Sequence, residues 1–142
     1  MTIKAILQSR GGDVVSISSG SSVADAVALL AERRIGALPV IDGGAVSGIF
    51  SERDVIYGLA REGDAILKKK VAEVMITPAI TVDQEETAMG ALSLMTLRRI
   101  RHLPVVEDGR FVGFVSIGDI VKYRIDRIEA EAASLREYIQ SS

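Results

Sequence analysis

Two short strings carry the polar groups best placed for chemistry. Ser51-x-x-Asp54 and Ser116-x-x-Asp119 share one spacing, and each follows a glycine and two apolar residues, Gly48-Ile49-Phe50 and Gly113-Phe114-Val115. If each string opens a helix after a strand, the free N–H groups and the helix dipole there attract phosphate or another anion. An aspartate one turn in can accept two hydrogen bonds from a ribose diol. The glycine lets backbone approach a ligand closely. The same four residues are also a plain capping box, in which serine and aspartate satisfy the helix's own first N–H groups. At this point both readings stand.

Little else supports catalysis. The chain has one histidine and no cysteine, and it lacks G-x-S-x-G, H-E-x-x-H, Walker A and G-x-G-x-x-G strings. Glu85-Glu86 is an acidic pair, but neighbours near a helix start do not face each other, and acids there complement the dipole. One histidine among scattered carboxylates is a poor metal site. The expectation is a protein that is not an enzyme, with no catalytic cofactor and no metal. Met75, Met89 and Met95 fall in apolar patterns and read as core. Tyr57, Tyr123 and Tyr138 show no arrangement for stacking nucleic-acid bases.

The elements that must hold the two strings are themselves repeated. Arg34–Ile56 aligns without a gap on Arg99–Val121. The pairs Arg34/Arg99, Ile35/Ile100, Leu38/Leu103, Pro39/Pro104, Val40/Val105, Gly44/Gly109, Gly48/Gly113, Ser51/Ser116 and Asp54/Asp119 are identical. A fixed-offset repeat in a short chain means two copies of one supersecondary unit. Each copy predicts a strand (Ala37–Ile41, His102–Val106), a glycine-containing turn, a return strand (Val46–Phe50, Phe111–Val115) and a helix. Upstream, Val14–Ile17 and Ile80–Val82 predict short leading strands, and Ser22-x-x-Asp25 predicts the start of a helix running to about Arg34. Thr2–Leu7 predicts one or two helical turns, and Gln8–Asp13 a loop. Val71–Met75 repeats Ile3–Leu7 at a larger offset, so the first copy carries a loop three residues longer. Segment 64–70, with Lys68-Lys69-Lys70, reads as a solvated linker or as a patch that steers anions.

This pattern resembles a tandem pair of cystathionine-β-synthase (CBS) domains, in the style of small stand-alone bacterial CBS-pair proteins. G-h-h-S-x-x-D is that family's ribose-contacting string. The resemblance implies an α/β fold of two β-α-β-β-α repeats related by a pseudo-twofold: 1–63, then linker 64–70, then 71–122, with a C-terminal helix over 123–142. It implies a regulatory module that binds an adenine nucleotide (AMP, ADP, ATP or NAD) without catalysis. In such pairs a site joins the aspartate of one copy to segments of the other. One site would combine Ser51, Arg53 and Asp54 with Thr77, Ile80, Arg101, His102 and Pro104, and Met75 would border the adenine. The second would combine Ser116 and Asp119 with Val15 and Pro39. Gly36-Ala37 there replaces Arg101-His102, and Gly118 replaces Arg53, so the second site lacks these basic residues for a phosphate. A purely structural dimerisation module is the alternative.

Beyond Asp119, Val121, Ile125, Ile128, Ala132, Leu135 and Ile139 form a heptad seam flanked by charges, with no counterpart in the first copy. It either folds back or pairs with a second subunit; a homodimer with an unknown regulated target is the expectation. Net charge is −2, which argues against nucleic acid as a partner. The longest apolar runs are too short to span a bilayer, so no membrane partner is expected. The start MTIKAILQSR has no signal-peptide pattern, and the cytoplasm is the expected location.

Overall fold

The computed structural model describes residues 1–141. In chain order it contains α1 (Ile3–Arg10), α2 (Val23–Arg33), β1 (Ala37–Asp42), β2 (Ala45–Ser51) and α3 (Glu52–Glu62), then a 3-10 turn at Gly63–Lys68. There follow α4 (Val71–Val74), α5 (Ala88–Arg98), β3 (His102–Glu107), β4 (Arg110–Ser116) and α6 (Ile117–Ser141). The helix starts follow from side-chain caps. Thr2, Ser22 and Thr87 each accept a hydrogen bond from the N–H three residues on. Helices α2 and α5 both end on an arginine in the left-handed region, Arg34 (φ 54°) and Arg99 (φ 55°).

Each copy's hairpin turns through two residues of positive φ, Gly43-Gly44 and Asp108-Gly109, which match the twist of the flanking strands. β1 pairs antiparallel with β2, and β3 with β4, in the same register. Each hairpin carries a bulge, at Ser47 opposite Val40/Ile41 and at Val112 opposite Val105/Val106. The two sheets meet where the Phe111 N–H donates to the Gly44 carbonyl at 2.8 Å.

The expected leading strands shrink to single parallel bridges, Ile17 with Val40 and Val82 with Val105. The repeated proline explains this. Ile17 N–H donates to the Pro39 carbonyl and Ile41 N–H to the Ile17 carbonyl; Val82, Pro104 and Val106 do the same in the second copy. The next ladder bond would need an N–H from the proline, which has none. Among the described residues the Ile80 carbonyl therefore takes no ladder bond.

The cores do not follow the repeat boundaries. Ile3 and Ile6 of α1 pack with Val82, Ala88, Ala91, Met95, Leu103, Val105, Val115 and Ile120, the core of the second copy. Val71, at the start of α4, packs with Val23, Ala26, Leu30, Leu38, Val40, Phe50 and Ile66, the core of the first. Each copy thus lends its entry helix to the other. Segment 64–70 is not a solvated connector, because Ile66 is buried in the first core and leaves no room for a Cβ at Gly58. Lys69 pairs with Glu62 at 2.6 Å, which removes part of the lysine run from any steering role. The expected loop at Gln8 is helical to Arg10 and stops at Gly11. α6 runs unbroken through the expected boundary at residue 122, and Val121, Ile125, Ile128, Leu135 and Ile139 of the seam stay exposed. No helix among the described residues is long and apolar enough to cross a membrane.

Candidate nucleotide clefts

Both S-x-x-D strings lie where a strand runs into a helix. Asp54 Oδ2 accepts from the Ser51 N–H (2.9 Å) and from Ser51 Oγ (3.1 Å), and the Asp54 N–H donates back to Ser51 Oγ (3.4 Å). Asp119 Oδ2 accepts from the Ser116 N–H (2.9 Å), and the Asp119 N–H donates to Ser116 Oγ (3.0 Å). Capping and ligand binding are therefore compatible. The box occupies one carboxylate oxygen and fixes the rotamer, and Asp54 Oδ1 has no partner among the described residues.

A segment of the other copy runs against the strand that leads into each motif. After α4 the chain pairs Ile76 with Ile49 on the edge of β2, and Thr77 Oγ1 donates to the Ser47 carbonyl at 2.8 Å. The bulge at Ser47 leaves that carbonyl unpaired in the hairpin and so available to Thr77. The chain then passes half-buried Ile80 and reaches β3 at Val82. Segment 76–82 thus crosses from the edge of β2 in the first copy to β3 in the second. Segment 10–17 makes the mirror crossing, from β4 to β1 past half-buried Val15. Pro39 and Pro104 are buried in the strands opposite Ile49 and Phe114.

Arg53 and Arg101 are exposed and have no ion-pair partner among the described residues. The Arg101 carbonyl accepts the Ile117 N–H at 2.9 Å, which ties the start of β3 to the start of α6. His102 is half-buried and stacks on Phe114, ring centroids 5.3 Å apart and 15° from parallel. Burial pushes its imidazole below the ordinary value; Asp119 pulls it up, Arg101 pushes it down and Glu52 pulls it up. The net direction keeps His102 neutral at pH 7.

Two expectations change. The motif glycines make room for the chain itself. A Cβ at Gly48 would lie 2.6 Å from the Ile76 carbonyl oxygen and 2.9 Å from Met75 Sδ, and one at Gly113 would lie 2.7 Å from Leu7 Cδ1. The Asp119 cleft also holds a cation absent from the expected set: Arg10 Nη1 donates to Asp119 Oδ2 at 2.8 Å and to the Phe114 carbonyl. Arg10 ends α1 in the stretch between Leu7 and Val15, which is three residues longer than its match in the second copy, so aligning the copies gives it no counterpart. No cluster of metal-ligating side chains occurs among the described residues.

The family model for the CBS domain matches twice, over residues 3–61 and 71–126. A CBS-domain protein from Agrobacterium tumefaciens is 38% identical with a TM-score of 0.82, over 87% of this chain and 99% of that one. The CBS domain pair of protein MJ0100, solved with 5-methylthioadenosine and S-adenosyl-L-methionine, is 27% identical with a TM-score of 0.77, over 89% and 98%. CBSX2, solved with AMP, is 25% identical with a TM-score of 0.74, over 88% and 96%. Paired motifs, mirror-related clefts and a double family match agree: the chain is a tandem pair and belongs to the CBS domain family.

Proposed function

We propose that this chain is a regulatory module that binds an adenine nucleotide (AMP, ADP, ATP or NAD) in the Asp54 cleft and performs no catalysis. The carrying observation is Asp54, whose carboxylate is fixed through one oxygen by Ser51 and holds the other free at a helix N-terminus. A ribose diol can donate to that oxygen, and exposed Arg53 and Arg101 supply charge for phosphate. The ligands of the two related structures share an adenosyl group, which supports the adenine reading. The Ile80 carbonyl, left without a ladder bond by Pro104, is an acceptor suited to an exocyclic amine. A second reading, a structural dimerisation module, draws on the exposed seam of α6.

Thermal melts with AMP, ADP, ATP, NAD and GTP separate the two. A ligand at 100 times its Kd adds about 2.7 kcal/mol. No shift with any nucleotide, and no heat by calorimetry, favours the structural module. Calorimetry on two variants then tests the geometry. Asp54→Ala weakens AMP and adenosine alike, because both carry the diol. Arg101→Ala weakens AMP by about tenfold or more, a charge-assisted contact being worth roughly 1.5–3 kcal/mol, and leaves adenosine nearly unchanged. Equal losses for both ligands in Arg101→Ala would show that this arginine does not hold phosphate.

A further inference from the structure

The two clefts differ at one position. In the first, the Ile49 carbonyl accepts the Ile76 N–H at 2.9 Å. The equivalent carbonyl in the second copy, Phe114, accepts Arg10 Nη1 instead, and the same nitrogen donates to Asp119 Oδ2 at 2.8 Å. A side chain has replaced a backbone bridge. It reaches the very carboxylate whose counterpart, Asp54, has no cation bonded to it among the described residues. The pair is accessible, with side-chain exposures of 32% for Arg10 and 23% for Asp119. Nε and Nη2 of Arg10 make no bond among the described residues. Lys122, the other cation beside the pair, is bound to Asp126 at 2.9 Å.

We infer that Arg10 is the specificity-determining residue of the Asp119 cleft, a clamp that holds phosphate and so favours nucleotides over neutral nucleosides. The inference rests on the adenine-nucleotide reading above. Arg10, like the Ser116 N–H, bonds Oδ2 of Asp119, and Oδ1 has no partner among the described residues and stays open to a ribose diol. Adenosine offers the guanidinium nothing. A nucleotide offers a phosphate to its free Nε and Nη2, on a side chain anchored beside the same carboxylate. Arg10 thus supplies the cation that Gly36-Ala37 and Gly118 do not. The Asp119 cleft regains a group for phosphate, although its repeat-derived residues are the less basic.

The test uses the full chain with the Asp54 cleft silenced by Asp54→Ala, titrated calorimetrically with AMP and with adenosine. The expected result is AMP binding about tenfold or more tighter than adenosine. Adding Arg10→Ala should weaken AMP by about tenfold and leave adenosine nearly unchanged. Arg10→Gln keeps a donor for the Phe114 carbonyl without the charge, and must collapse the AMP-to-adenosine ratio in the same way; ligand-free melts verify that each variant is folded. A ratio unchanged in folded Arg10→Ala and Arg10→Gln overturns the clamp while leaving nucleotide binding intact. Failure of the wild-type chain to bind either ligand overturns the nucleotide reading and this inference with it.

Discussion

Asp54 and Asp119 each commit one carboxylate oxygen to their own helix, and what touches the carboxylate beyond that distinguishes the clefts. Spacing alone exposed the serine–aspartate pairs, because a helix start imposes a fixed three-residue interval on any residues that cap it. Arg10 escaped that reading because its partner is 109 residues away and a contact so remote leaves no periodic trace. His102 was visible as a basic residue, but its protonation depends on burial, which sequence does not show. With the imidazole held below its ordinary value of 6.5, AMP affinity should stay flat from about pH 6.5 to 8, whereas a cationic clamp would weaken over that range. Stability carries the opposite signature. The unfolded chain takes up the His102 proton near 6.5 and the folded chain only below it. The contribution is therefore complete above about 6.5 and lost as pH falls through that value. Melts of wild type and His102→Phe at pH 5 and 7.5 check this: the variant should lose less stability on acidification.

At the scale of elements, the strands, their turns and the long helices were legible, because glycine pairs, apolar alternation and capping residues act locally. The leading strands were overestimated, since their pairing is cut short by a proline about 24 residues downstream, Pro39 for Val15 and Pro104 for Ile80. The 3-10 turn around Ile66 was hidden by the lysines beside it. The motif glycines carry a measurable asymmetry. At Gly48 a new Cβ meets the Ile76 carbonyl, which the Ile49 N–H holds at 3.0 Å. At Gly113 it meets only the tip of Leu7, which can rotate away. Gly48→Ala should therefore cost about 2–3 kcal/mol and Gly113→Ala about 1 kcal/mol, read from urea denaturation midpoints. Equal costs would mean that the α4 segment yields as easily as a leucine side chain.

Across the whole molecule, the repeat announced two like units but not that they exchange entry helices, because α1 and α4 are apolar enough to serve either core. The heptad seam of α6 was legible, and its exposure in the single chain is what a second copy would relieve. Full-length protein should sediment as a dimer at micromolar concentration, and truncation after Tyr123 should give a folded monomer. Ile120 and Tyr123, which pack on the second core, are retained in that truncation. A full-length monomer at the same concentration would remove α6 from the interface. The exchange of α1 also has a consequence for synthesis on the ribosome. Ile3 and Ile6 emerge long before Val115 and Ile120, which belong to the core that buries them. At 5–20 residues per second, α1 waits roughly 5–20 s for that core. Eight residues are too few to stay helical alone in water, so the segment waits as an unstructured apolar stretch. The nascent chain is most exposed to chaperones and to aggregation at α1, until nearly the last of the second copy has been made.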